Sequence, residues 1–101
     1  MEKRRPHYSL ADVQAVVADP KSRPFTLAAL QGGWAMGLDV AQMRHVVCGL
    51  TSAHFYKSMT SHRDARLWQD VYHASTPRGE AYIKITSYAD GRSPVIQFKA
   101  R

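Results

Sequence analysis

Apolar residues in the first half of the chain recur at helical spacing, and in the second half they alternate. Leu10, Val13 and Val17 fall on one face of a helix. Ser9 followed by Asp12 resembles a capping box opening that helix, which should run to about Ala18, with Pro20 helping to end it. Thr26 should cap a short second helix that carries Leu27 and Leu30 and is ended by Gly32-Gly33. Asp39 with Gln42 should cap a third, in which Met43, Val46, Val47 and Leu50 follow the i, i+3, i+4, i+7 pattern. A stripe of that kind needs a surface to cover.

Strand signals follow. HFYKSMT (54–60) sets Phe55, Lys57 and Met59 against Tyr56, Ser58 and Thr60. SHRDAR (61–66) is a polar connection. LWQDVYH (67–73) puts Trp68, Asp70 and Tyr72 on one face and Gln69, Val71 and His73 on the other. ASTPRG (74–79) carries turn residues and reads as a loop. YIKITSY (82–88) and SPVIQFK (93–99) flank Asp90-Gly91, a strong hairpin signal for a type I′ turn, whose two central residues need φ > 0. That register opposes Ala89 with Arg92, Ile85 with Ile96, Ile83 with Phe98, and Tyr82 with Lys99. One face then holds Ile83, Ile85, Ile96 and Phe98; the other holds Tyr82, Lys84, Gln97 and Lys99. Helices followed by antiparallel strands predict an α+β fold: a twisted antiparallel sheet with helices packed on one face and the other face open.

A length of 101 residues allows one domain, 1–101, with a single two-layer core. The formal net charge is +6. Residues 1–50 hold six Lys/Arg against four acids, and residues 51–101 hold eight against four, so the strand-rich half is the more basic. That balance points to an anionic partner, with solubility alone as the plain alternative. Cys48, the one cysteine, has no internal partner; this fits a reducing cytoplasm, and its apolar neighbours suggest a buried structural thiol. No apolar run is long enough to span a bilayer, and MEKRRPH (1–7) lacks the apolar stretch of a secretory signal, so no membrane partner is expected.

His7, His45, His54, His62 and His73 lack zinc-ligand spacing, and neither a metal site nor another cofactor is expected. No Gly-rich phosphate loop appears. The open sheet face would gather Lys57, Gln69, Tyr82, Lys84 and Lys99 if the strand order brings them together. Lysines and a phenol on such a face have three uses: holding phosphate, positioning single-stranded bases, or cleaving RNA without a metal. Cleavage needs a base for the ribose 2′-OH, cations for the phosphate's developing charge, and an acid for the leaving 5′ oxygen. Like-charge repulsion in a lysine cluster lowers the pKa of one member and makes a base available. The plain alternative is a solvated face.

The blocks MEKRRPH (1–7), FYKSMT (55–60), WQDVY (68–72), YIKIT (82–86) and the terminal FK (98–99) resemble MqsR-type toxins, in the right order and over nearly the whole chain. The resemblance implies a RelE-like fold and a ribosome-independent mRNA interferase of a toxin–antitoxin module, cutting at GC-containing, GCU-like triplets. It carries Lys57, Gln69, Tyr82 and Lys99 into the catalytic set. Lys57 and Lys99 would hold or neutralise the scissile phosphate, Tyr82 would bond a phosphate oxygen or act as acid, and Gln69 would orient the 2′-OH or a base edge. Lys84, Met59, His73 and Arg63 are expected to contact RNA. His73 stands where the family pattern suggests Arg, which would make a phosphate contact pH-dependent. The implied partners are mRNA and a cognate MqsA-type antitoxin with a zinc-binding part and a helix-turn-helix part, operator DNA being reached only through that antitoxin. A noncatalytic RNA-binding module and a transcription co-regulator acting through its partner are the rival readings.

Overall fold

The structure is a computed structural model that describes residues 1–90 and 92–101. The described elements run β1 (Glu2–Lys3), α1 (Leu10–Ala18), α2 (Leu27–Ala35), α3 (Val40–Cys48), a 3-10 turn (Ser52–His54), β2 (Phe55–Thr60), β3 (Trp68–Thr76), β4 (Gly79–Thr86) and β5 (Val95–Ala100). The five strands form one antiparallel sheet in the order β1-β2-β3-β4-β5. The fold is α+β, as the patterning predicts.

Each helix starts where its cap residue does. Ser9, Thr26 and Asp39 accept hydrogen bonds from the backbone N–H of Asp12, Ala29 and Gln42, and Asp39–Gln42 forms a reciprocal capping box. The inward stripes of the helices (Val13 and Val17, Ala29, Met43 and Val47) meet Tyr72, Ala74, Ala81, Ile83, Ile85, Ile96 and Phe98 from one face of the sheet. All helical burial therefore falls on one side, and the opposite face is left open. Leu30 packs against this core, whereas Leu27 points outward and is 68% exposed.

Gly32-Gly33 does not end the second helix; both glycines lie inside α2, which runs on to Ala35. They allow close approach. A Cβ on Gly32 would stand 2.1 Å from the Phe98 carbonyl oxygen of β5, and one on Gly33 would stand 2.3 Å from Met43 Sδ of α3. Cys48 is exposed rather than buried, because it falls on the outward side of the last turn of α3.

The tight hairpin is not where the sequence signal is strongest. Residues 74–76 and 79 belong to strands, and Pro77-Arg78 is the two-residue turn between Thr76 and Gly79, with φ +105° at Gly79. The β4–β5 pairing has the expected register, with Tyr82 opposite Lys99, Ile83 opposite Phe98 and Ile85 opposite Ile96. The ladder stops at Thr86–Val95, however, so Ala89 and Arg92 are not paired in it. Pro94, next in line, has no N–H to donate. Asp90 has no positive φ, so it does not adopt the expected type I′ conformation; its carboxylate accepts from the Arg92 backbone N–H and Nε. Gly91, the other half of that expected turn, lies outside the described residues.

Short pairings flank the main strands on both sides of the sheet. β1, which alternation does not reveal, pairs with β2 at Glu2–Met59 and Lys3–Ser58. On the far side, Phe25 bridges to Ile96, with Thr26 N donating to Ile96 O and Ile96 N donating to Pro24 O.

Candidate active site

The sequential strand order settles which outward side chains meet. On the open face, pairing aligns Lys57, Val71, Lys84 and Gln97 in one row, and His73, Tyr82 and Lys99 in the next. Met59 and Gln69 oppose each other in the row on the other side of Lys57. Lys57, Met59, Gln69, His73, Tyr82, Lys84 and Lys99 therefore share one surface. Arg63 lies on the connecting loop at its rim, where Ser61, His62, Arg63, Gln69, Lys84 and Gln97 line a depression. A second depression is lined by Ala28 and Ala29 of α2 with Tyr82, Lys84, Gln97 and Lys99. Lys84 and Gln97 are common to both.

The order of β2 departs from simple alternation. A bulge shifts the register between Phe55, which pairs with Tyr72, and Lys57, which pairs with Val71. Phe55 does not share the face of Lys57 and Met59, as alternation suggests. It turns to the core and meets Tyr72 edge-on at 5.6 Å. Tyr56 is released to the open side, 46% exposed, with its ring stacked on His73 at 4.4 Å and 22°. His73 is followed by Tyr82, 5.8 Å away. Tyr56, which alternation sets on the face opposite Lys57, thus joins the surface. A bulge leaves no mark in a hydropathy pattern; two adjacent aromatics, Phe55-Tyr56, are the one hint.

The cations of the face differ in surroundings. Lys57 Nζ is 2.5 Å from Glu2 Oε1, and 5.5 Å from the Tyr56 ring centroid. The hydrogen bond it donates to Glu2 holds the Lys57 pKa above its usual value, and Lys57 in turn holds Glu2 below its own. Lys84 is half-buried and has no carboxylate within ion-pairing distance among the described residues. Burial, then the charge of Lys99, pushes its pKa down. Lys99 Nζ lies 5.2 Å from the Tyr82 ring centroid. Burial raises the Tyr82 phenol, an effect that the Lys57 charge opposes. Burial, then Arg101, lowers His73. The ring therefore tends to the neutral form and stacks as an aromatic more than it supplies charge.

Other residues singled out by the pattern stand apart from this surface. Trp68 is half-buried on the helix side of the sheet edge, under the His7 ring at 5.5 Å and Lys3 Nζ at 4.2 Å. Tyr72 is in the core, where burial pushes its pKa up to about 12. Asp70, 1% exposed, accepts from the backbone N–H of His7 and Tyr8 and so ties the N-terminal segment to β3. Among the described residues no group of three or more His, Cys, Asp or Glu is arranged to hold a metal ion. No described helix is long and apolar enough to cross a membrane.

Chemically, the surface offers fixed positive charge, the Tyr82 phenol with its raised pKa, the Lys84 ammonium with its lowered one, and exposed aromatic area. Residues 5–100 match the family described as motility quorum-sensing regulator, toxin of MqsA. A relative of the same length class, the mRNA interferase toxin MqsR of Escherichia coli (strain K12), is 42% identical over 101 residues, covering 100% of both chains.

Proposed function

We propose, from the premise that this chain belongs to the MqsR toxin family, that it is an endoribonuclease toxin that cuts mRNA. The observation that carries this reading is the gathering of Lys57, Tyr82, Lys84 and Lys99 in two neighbouring rows of one open sheet face. An RNA strand crossing both depressions would lay its phosphodiester over Lys84 and Gln97, which line each of them.

In the proposed reaction the 2′-OH attacks the adjacent phosphorus in line. Lys84, once neutral, takes the hydroxyl proton. Lys57 and Lys99 hold the charge that develops on the phosphate oxygens, where preorganised cations have their largest effect. Tyr82, kept neutral by its raised pKa, gives its proton to the departing 5′ oxygen. The products are a 2′,3′-cyclic phosphate and a free 5′-OH. Gln69 orients the 2′-OH or a base edge. Met59, His73 and Arg63 contact flanking nucleotides. Every proton and charge in this scheme is handled by a side chain of the chain itself, so the reaction needs no metal.

The same reading makes the whole chain one toxin domain acting in the cytoplasm on GC-containing, GCU-like triplets. A cognate MqsA-type antitoxin with a zinc-binding part and a helix-turn-helix part neutralises it. Operator DNA is met only through that partner.

The test is a digest of a long single-stranded RNA in EDTA with the new ends mapped. Discrete cuts with 5′-OH ends are expected. Lys57→Ala and Tyr82→Phe should slow cutting about 10²-fold or more. RNA that is bound and never cut would favour the noncatalytic binding module, and toxicity that survives both substitutions would favour the co-regulator.

A further inference from the structure

Lys57 is the one lysine of the open face that meets a carboxylate among the described residues, and that carboxylate comes from far along the chain. Glu2 belongs to β1, a strand of only two residues. So short a strand is not held by ladder bonds alone. The arm that carries it is strapped down at several points. Thr60 N donates to Met1 O. Lys3 Nζ lies over the Trp68 ring and bonds His7 Nδ1. The Tyr8 hydroxyl donates to Trp68 O, and the buried Asp70 carboxylate accepts from the His7 and Tyr8 amides. The outcome of all this fastening, on the open face, is one carboxylate held against one ammonium. Lys57 keeps 21% of its side-chain exposure there, against 51% for Glu2. Among the described residues the only other acid on that face, Glu80, is engaged by the Ser75 hydroxyl at the opposite end of β4.

We propose that Glu2 is a positioning residue of the cleavage site: its carboxylate, delivered by the strapped N-terminal arm, holds the Lys57 ammonium charged and aimed over the face while the phosphodiester binds. The assignment rests on the ribonuclease reading above. It explains why two lysines two strands apart have opposite tendencies. Lys57, paired with Glu2, stays an ammonium and stabilises charge; Lys84, without such a partner, is the one able to give up its proton. It also has a cost. A bound phosphate competes with Glu2 for Lys57 and is repelled by it, so the carboxylate weakens RNA binding in the ground state and sustains the rate afterwards.

Removing the charge should therefore separate binding from turnover in a way that loss of structure does not. Glu2→Gln should bind a short RNA about two- to fivefold more tightly at low salt. Its rate at saturating RNA should fall about tenfold, so kcat and KM drop together. Glu2→Asp should lie between Glu2→Gln and the unaltered chain. The Lys57 ammonium, followed by nitrogen-15 NMR, should titrate at lower pH in Glu2→Gln. The amide signals of His7 and Tyr8 report whether the arm stays in place. Cleavage by Glu2→Gln at the unaltered rate, or an unmoved Lys57 titration, overturns the assignment while leaving the ribonuclease reading intact. Slower cleavage with displaced His7 and Tyr8 signals also overturns it, since Glu2 would then be a strap. An unaltered chain that cuts no RNA defeats the reading of the site, and the assignment falls with it.

Discussion

Two lysines on one face, with pKa values moved in opposite directions, give the site a measurable pH signature. Lys84 is lowered by burial and by Lys99, so its neutral fraction grows as pH rises through a folded-state pKa below the ordinary lysine value. If Lys84 is the base, kcat/KM should climb with pH and level off before that ordinary value is reached. Measured on a short RNA from roughly pH 6 to pH 10, Lys84→Ala should flatten the climb as well as slow the reaction, by about 10²-fold. A Lys84→Ala profile that keeps the full climb would remove Lys84 from that role. The same shifts act on stability with opposite signs. Because its folded pKa is depressed, charged Lys84 costs the fold stability below that pKa, and the cost is relieved as pH rises toward the unfolded value. Lys57 is raised by Glu2; its contribution is fully present below the unfolded pKa and is lost as pH rises through the folded one.

At the scale of elements, the position of β5, and with it Lys99, depends on how closely α2 can lie against it. Gly32 sits at that contact, and a methyl there meets a backbone oxygen, which cannot move aside without moving the strand. Gly33 meets the end of the Met43 side chain, which is flexible and able to yield. Gly32→Ala should therefore destabilise the fold by about 1–3 kcal/mol in urea unfolding, and Gly33→Ala by less, although the two nominal overlaps are nearly equal. Gly32→Ala should also cut RNA more slowly when both proteins are fully folded; equal activity would show that α2 does not position Lys99. The pair of glycines marks a boundary of what the sequence displays. Cap residues, the apolar stripes of α1 and α3, and the β4–β5 register are local signals, and all of them are legible. Whether Gly-Gly ends a helix or admits a neighbour depends on what lies across from it, which only the packing decides. The same holds for Tyr56, turned outward by a bulge, and for β1, whose two residues are too few to show a period. It holds again at Asp90, where the strongest local turn signal is overridden by an early end to the ladder at Pro94.

Over the whole molecule, the net charge of +6 matters less than where the cations lie. Lys3 and Arg44 are spent on internal contacts, Lys3 over Trp68 and Arg44 on the carbonyls of Val17, Asp19 and Ser22. Arg66 and Arg92 are paired with Asp64 and Asp90. Lys57, Lys84 and Lys99 are held in neighbouring rows of one rigid sheet, so they meet a single strand of phosphates together. Each phosphate neutralised on a single strand contributes about −0.7 to the slope of log affinity against log salt. Three lysines predict a slope near −2 at neutral pH, far below what 14 Lys and Arg would give if charge alone drove binding. Lys99→Ala should make the slope shallower by about 0.7. Arg92→Ala, outside these rows, should leave it unchanged. Equal effects of the two substitutions would mean that RNA follows the diffuse charge of the molecule, and the open face would lose its claim to be where the strand lies.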